Sequence, residues 1–384
     1  LSISVRPITS AQHRDWVAQR PSVSFLQLPE WGPVKVGWQH ESLGWFDGSQ
    51  LIGAGLALYR PVPRVPRRSL AYLPEGPDID WRRERYPAIS LDEWLEPLLA
   101  HCRDRGAFQV KMGPPVPVRR WEADNIKASI ASWTDGSADP PRRISETLAD
   151  WHSTRGVQLA ERLRTMGWTQ ESGDDAGFGD VQPRFVFQVP LDGRTVGDIF
   201  TGFNQLWRRN IRKSEKSGVL VTRGTIEDLA TFHEVYVETA ARDHFTPRGL
   251  PYFERMWREL NSAGQEPLAL YLAHHDGHLA AATLMVTVGD HAWYSYGAST
   301  TADRDVRPSN ALQWRMITDA RAAGCAVYDL RGISDTLNPT DHLFGLVQFK
   351  VGTGGFALEY VGEWDYVLRR GWANAYRLYQ SRRG

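Results

Sequence analysis

Only two cysteines occur in 384 residues, Cys102 and Cys325. Neither lies at the spacing of a metal or redox motif, which argues against a disulfide framework and a thiolate metal site. Each falls near the end of a predicted helix and reads as a buried free thiol in a reducing compartment. Long apolar runs are also missing. The longest, such as Leu51 to Tyr59 and Leu279 to Val288, fall well short of the roughly 18 to 20 residues of a membrane span. The N-terminus has no signal-peptide pattern, so the chain reads as soluble and cytoplasmic. Net charge is absent as well, since Lys plus Arg equals Asp plus Glu at 45 each. A protein that coats nucleic acid or membrane with its whole surface is thereby excluded, and any polyanionic partner must be met by a local patch. No His/Cys/Asp/Glu cluster has metal spacing, no Gly-x-Ser-x-Gly elbow occurs and there is no Walker loop, which removes most hydrolases and ATP-dependent ligases. His342 and His244 are candidate general bases, although a lone histidine is more often structural.

What is present is a plan used twice. The length suits two domains of about 150 to 200 residues. In the first half, a helix from Ser10 to Gln19 is followed by a segment around Trp31, a hairpin turning at Asp47-Gly48, and Ala71 to Gly76. A helix opening at Ser90, kinked by Pro97 and stopped near Gly106, then leads into the strand Phe108 to Met112. The second half repeats the order. It has a helix from Thr225, a short helix around Tyr252-Phe253, a hairpin at Asp276-Gly277, Trp293 to Gly297, a helix capped by Ser309 and ended by Gly324, and the strand Val327 to Arg331. Between Arg119 and Asp180 the chain turns polar, with a flexible run Gly136 to Pro141 and a helix Gln158 to Met166. This predicts domains at 1–180 and 181–364, the second beginning before the strand Phe185 to Val189. A terminal helix, Trp372 to Tyr379 within 365–384, packs back on the first.

The order helix, hairpin, strand, helix, strand is that of N-acetyltransferase-type domains, an α/β (α+β) class with mixed sheets. Such domains cradle the coenzyme A pyrophosphate with a glycine-rich loop before the last helix. The corresponding loops here, Asp78 to Ile89 and Thr301 to Pro308, lack it. An acyltransferase without that cradle must take its acyl group from another carrier.

Four stretches carry candidate chemistry. Lys350 sits in the apolar, glycine-rich stretch from Asp341 to Phe356. There its ammonium either snorkels to water or is buried to meet an anion or a charge that develops in a reaction. From Thr195 to Ser217, the residues Val196, Ile199, Phe200, Phe203 and Trp207 form a buried helical stripe, while Arg208, Arg209, Arg212, Lys213 and Lys216 crowd the last turns. These cations complement a helix C-terminus or form a solvated face, and they are equally a candidate for phosphate contacts. Arg242 to Arg248, followed by Tyr252, sets a guanidinium and a phenol within reach of a phosphate, or holds a surface Arg–Asp pair. Trp31 to Lys35 likewise leaves one lysine on an aromatic turn.

Taken together, Phe349-Lys350-x-Gly-x-Gly-Gly followed by Glu359-Tyr-x-Gly-Glu363, Arg242-Asp-x-Phe-x-x-Arg248-x-x-x-Tyr252-Phe, Trp207-Arg-Arg-Asn-Ile-Arg212 and Trp293-Tyr-x-Tyr296-Gly-Ala resemble the Fem family. These are aminoacyl-tRNA-dependent transferases of peptidoglycan, and the likeness runs from Trp31 to Asp365, closest to the branch that builds short, often glycine, cross-bridges. The resemblance implies two acetyltransferase-like domains with no coenzyme A or other cofactor. The partners it implies are aminoacyl-tRNA as co-substrate and a muramyl-pentapeptide precursor, with membrane-surface contact if that acceptor is lipid-linked. It implies that Lys35 and Arg248 bind the precursor diphosphate, that Tyr252 and Tyr296 line the acceptor site, and that Phe349 and Lys350 sit where the acyl group moves. Two departures stand out. Phe108 and Gly113 replace a tyrosine and an aspartate found in many members, so catalysis should not depend on that carboxylate. The long helical arm of many members is also missing, because only Val219 to Gly224 separate Gly218 from Thr225; the basic strip Arg208 to Lys216 is then the candidate grip on tRNA. A tRNA-dependent amide ligase acting on a peptide natural product and a non-catalytic RNA-binding protein are the competing expectations.

Overall fold

Turn glycines and alternating apolar residues fix most of the elements. The structure, a computed structural model, describes residues 3–133, 139–170 and 182–381. It divides into one unit of Leu1–Arg120, Trp151–Arg184 and Glu359–Gly384 and another of Trp121–Asp150 and Phe185–Leu358. This differs from the sequence-based ranges at three places, the shortest being residues 182–184, which fall in the first unit. Residues 121–150 join the second unit because Trp121, Ala123, Ile126 and Ile144 are buried in its core. Residues 359–364 join the first, where Val361 and Trp364 are buried. The expected boundary at 180–181 and the first half of the run Gly136 to Pro141 lie outside the described residues.

In the first unit a seven-stranded sheet has the order Ile3–Ile8, Gln39–Asp47, Gln50–Val62, Val65–Leu73, Ala107–Met112, Trp364–Val367, Thr169–Gln170. Its Asp47-Gly48 hairpin turns with Gly48 at φ +58°, a conformation that favours glycine. Val65–Leu73 and Ala107–Met112 run parallel. The crossover between them is the helix Leu91–Asp104, which begins with a reciprocal cap between Ser90 and Glu93 and continues through Pro97. Its face of Leu91, Trp94, Leu95, Leu98 and Leu99 is buried. The helix Arg370–Ser381 sets Ala373 and Tyr376 against Phe108.

The second unit repeats that scheme, its own strands running in the order Leu220–Gly224, Leu268–His275, His278–Val288, His291–Ser299, Val327–Gly332, Phe185–Pro190, Phe356–Tyr360. Here His291–Ser299 and Val327–Gly332 are the parallel pair, joined through the helix Pro308–Ala322. Ser309 does not cap this helix. Pro308 opens it, its missing N–H and fixed φ suiting the first helical position, and Arg307 at φ +60° precedes it. The parallel strands pair at His291↔Val327, Ala292↔Tyr328 and Trp293↔Asp329 and then part. Val327–Gly332 also bulges against Phe185–Pro190 between Asp329 and Gly332, so the carbonyls at its end leave the ladder.

The stripe from Thr195 to Ser217 is two helices rather than one, Val196–Gly202 and Gln205–Lys216. Phe203 is extended, and the Asn204 side chain caps the second helix by accepting from Trp207 N at 2.9 Å. Ile199, Phe203 and Trp207 are buried as the spacing predicts, whereas Val196, on the first turn, is 43% exposed. From Lys216 the chain passes directly into Leu220–Gly224 and then the helix Leu229–Asp243, with no helical arm inserted.

Candidate active site

Lys350 lies on the last turn of the helix Phe344–Val351 and is 4% exposed, which excludes the snorkelling alternative. Its Nζ donates to the carbonyl of Leu330 at 2.9 Å and to that of Gly332, the carbonyls freed where the strand leaves the ladder. An ammonium has three N–H donors, so two are spent on backbone and one is left. Burial pushes this ammonium down to about 7, with Asp329 opposing the shift and Arg331 reinforcing it.

Asp329 organises the turn that presents those carbonyls. Its Oδ1 accepts from Arg331 N at 2.6 Å, closing a loop around Leu330 with Arg331 at φ +61°. Its Oδ2 accepts from Gln188 Nε2 at 2.9 Å and meets His291 Nε2 at 3.3 Å. Burial would raise this carboxyl, but the hydrogen bond and charge of His291 outweigh it and hold the group below the usual range. Sequence reasoning found the strand and missed the role of Asp329, Gln188 and His291, since no local motif joins residues so far apart.

Phe349 packs its ring 4.6 Å from that of Trp207, and its carbonyl accepts from Trp207 Nε1 at 2.7 Å. The glycines after Lys350 permit this closeness. A Cβ at Gly352 would lie 2.4 Å from Trp207 Cδ1, and one at Gly355 would lie 2.0 Å from the Gln188 carbonyl.

A second group in the same unit gathers Arg248, Tyr252 and Tyr296. The two phenol oxygens are 2.9 Å apart, and the Arg248 guanidinium lies 4.6 Å over the Tyr252 ring. Burial first, then Tyr296, holds the Tyr252 phenol well above its ordinary range. Two residues with no sequence signal complete the group. His233 Nε2 donates to the Arg248 carbonyl at 3.0 Å, and the Tyr236 ring lies 6.3 Å from that of Tyr296. Arg242 pairs with Asp243 and donates to the Ser299 carbonyl at 2.8 Å, so it braces the loop.

The five cations of the helix Gln205–Lys216 share one face. Arg208, Arg209, Arg212, Lys213 and Lys216 border a depression of about 830 Å³ together with Phe200, Thr201 and Gln205, while Trp207, Ile211 and Ser214 on the other side are buried. In the first unit, Lys35 caps the helix Trp31–Val34, with its ammonium 5.0 Å from the Trp31 ring centroid. Phe108 is fully buried beside Tyr376. At Gly113 a Cβ would come 3.2 Å from Cγ of Glu363, whose carboxylate accepts from Tyr72 Oη at 2.5 Å. His244 is the left-handed C-cap of Leu229–Asp243, and His342 is 85% exposed at its side chain beside Asp341. Both cysteines are buried free thiols, Cys102 pushed up to about 12 and Cys325 to about 11 by burial, which leaves them inert as nucleophiles.

The chain matches the FemAB family over residues 8–273 and 270–381. It belongs to that family. This FemAB-family protein is 23% identical over 428 residues to a lipid II:glycine glycyltransferase of Staphylococcus haemolyticus (strain JCSC1435), covering 94% of this chain and 92% of the relative. It is 22% identical over 430 residues, with the same coverage, to the protein of that name from Staphylococcus aureus (strain MRSA252). Among solved structures, the crystal structure of FemX superposes with a TM-score of 0.77 at 20% identity, over 97% of this chain and 99% of that one, which is a likeness of fold. Among its described residues no helix is long and apolar enough to cross a membrane.

Proposed function

We propose that this FemAB-family protein is an aminoacyltransferase that moves an aminoacyl group, glycine by analogy with its relatives, from aminoacyl-tRNA to the stem-peptide amine of a muramyl-pentapeptide precursor. The amine nitrogen attacks the ester carbonyl carbon to form the new C–N bond and a tetrahedral oxyanion. Collapse breaks the ester C–O bond, and the terminal ribose oxygen leaves with a proton given up by the amine. The ester arrives activated, so the protein has to bring the amine within about 3 to 3.5 Å of the carbon and stabilise the oxyanion.

The observation that carries this reading is Lys350, a dry cation with one donor left after two backbone carbonyls are served. Phe349, next to it, borders the acyl group. Arg248 takes the precursor diphosphate, Tyr252 and Tyr296 line the acceptor, and the face Arg208 to Lys216 follows the tRNA backbone. The reaction belongs in the cytoplasm, where charged tRNA is made, and a lipid-linked acceptor would bring the protein to the membrane surface. No coenzyme A is required.

The test is transfer of labelled glycine from glycyl-tRNA to nucleotide-linked and lipid-linked precursors, with and without RNase. RNase-sensitive incorporation that falls about 100-fold to 1000-fold in Lys350→Met is expected. Full incorporation by that variant would refute the role of Lys350, and RNase-insensitive incorporation would refute the donor.

A further inference from the structure

We propose that one face of the first unit, formed by the helix Arg370–Ser381 and the hairpin tip between Gln50–Val62 and Val65–Leu73, docks on an anionic phospholipid bilayer; this rests on the transfer reading above for the lipid-linked acceptor that such docking would serve. A chain whose charges balance over its whole length segregates them here. The hairpin carries Arg60, Arg64, Arg67 and Arg68, and the helix with the residue before it carries Arg369, Arg370 and Arg377. Neither 60–70 nor 366–381 contains an aspartate or a glutamate. Arg68 is half-buried and the others are exposed, and none of these arginines is ion-paired among the described residues.

The two segments form one surface because they share an apolar seat. Val62 and Leu70 of the hairpin pack with Phe108 against Ala373 and Tyr376 of the helix, and the Arg68 guanidinium lies 5.9 Å from the Trp372 ring centroid. The helix is thereby held flat on the sheet with its other side outward. Gly371, Ala375 and Leu378, spaced i, i+4, i+7, form an exposed row in which Leu378 is 54% exposed. Arg370, Asn374 and Arg377 form the row beside it at the same spacing. Trp372, 36% exposed, stands on the opposite flank.

This is the arrangement of a helix that lies in a membrane interface. An indole and an aliphatic side chain enter the headgroup layer, and arginines at their sides reach the lipid phosphates. RNA would use the same charge but would leave Leu378 unpartnered, since the row Gly371, Ala375, Leu378 has no side-chain donor or acceptor with which to meet a phosphate or a base edge. The helix is already seated on the sheet, so docking carries no cost of ordering a disordered segment.

The experiment is sedimentation of the full chain with vesicles of pure phosphatidylcholine and of an equimolar mixture with phosphatidylglycerol, without precursor or RNA. Binding to the mixed vesicles, weak binding to the neutral ones and release by high salt are expected. Each arginine near an anionic surface contributes about fivefold in partitioning, so Arg67→Gln combined with Arg370→Gln should weaken binding about 25-fold. Leu378→Gln should weaken it about threefold to tenfold, as suits a half-exposed leucine that becomes buried. Arg209→Gln combined with Lys213→Gln, in the other unit, should leave vesicle binding unchanged. Failure of the unaltered protein to bind the mixed vesicles overturns the proposal, and so does binding that survives Arg67→Gln with Arg370→Gln. If that pair weakens tRNA binding and spares vesicle binding, the face belongs to RNA and the proposal falls. Vesicle binding without glycyl transfer would sink the transfer reading alone, whereas transfer by a protein that does not bind vesicles would sink the docking face alone.

Discussion

Replacing Lys350 by methionine removes the charge at nearly constant volume, which separates electrostatics from packing. Two carbonyls, Leu330 and Gly332, lose their donor, at roughly 1 to 3 kcal/mol each. Against this, the desolvation cost of a buried ammonium, several kcal/mol, disappears. The terms oppose, so folding stability should change by no more than about 2 kcal/mol, whereas transfer should fall about 100-fold to 1000-fold, or about 2.7 to 4 kcal/mol of transition-state stabilisation.

The pH profile sharpens the test. Because burial brings Lys350 down to about 7, its protonated fraction falls tenfold per pH unit above that point, and the single-turnover rate should carry a descending limb there. Lys350→Arg keeps a cation that does not deprotonate, so its rate is lower but the limb vanishes. Stability carries the opposite sign. The folded value lies below the unfolded value of 10.5, so the unfolded chain binds the extra proton between about 7 and 10.5, and stability rises with pH across that window. Lys350→Met should flatten that rise in urea titrations. A Met variant that transfers at full rate, or an Arg variant with the same descending limb, would show that Lys350 does not carry the oxyanion charge.

Asp329→Asn keeps the side-chain acceptor for Arg331 N but deletes the charge that supports the ammonium, so the descending limb should move to lower pH by about one unit, read from the same profile. Arg248→Ala should weaken precursor binding about 10-fold to 150-fold, as expected for a lost charged hydrogen bond. Calorimetry with the nucleotide-linked precursor checks this, with RNA affinity unchanged as the control. Arg209→Gln combined with Lys213→Gln should lower the slope of log K against log salt for tRNA by roughly 1 to 2. An unchanged slope would remove the basic helix from the RNA contact.

Local signals were legible where local physics decides. Ser90, Asp47-Gly48 and Asp276-Gly277 fixed a helix start and two turns from neighbouring residues alone. The stripe Ile199, Phe203, Trp207 was readable from its spacing, but the break at Phe203 was not, because Asn204 has helix-compatible neighbours and becomes a cap only when Trp207 docks on Phe349. The regrouping of residues 121–150 was invisible for the same kind of reason, since Trp121 and Ile144 find their partners far along the chain. At the site, Lys350 stood out by its apolar flanks, whereas Asp329, Gln188 and His291 meet only after the sheet has formed.

The absence of a carboxylate at Gly113 raises the question of where the proton goes. Asp329 is a poor base, because Gln188, His291 and the Arg331 amide already occupy its oxygens and hold it ionised. An amine that enters uncharged needs no base to attack; the proton must leave nitrogen only after the C–N bond has formed, when the developing ammonium is strongly acidic. At the same moment the ribose oxygen needs one to depart. An ammonium is already more acidic than a ribose alcohol and can hand its proton to the departing oxygen; burial, which brings Lys350 to about 7, makes that donation easier, as suits an acid–base group. On this proposal the burial that makes Lys350 a strong oxyanion donor also makes it a proton relay. The two roles predict different behaviour of Lys350→Arg. It should retain oxyanion stabilisation but lose the relay, so its rate should become more dependent on the acidity of the leaving alcohol than that of the unaltered protein. Equal dependence in the two would assign Lys350 to charge stabilisation alone.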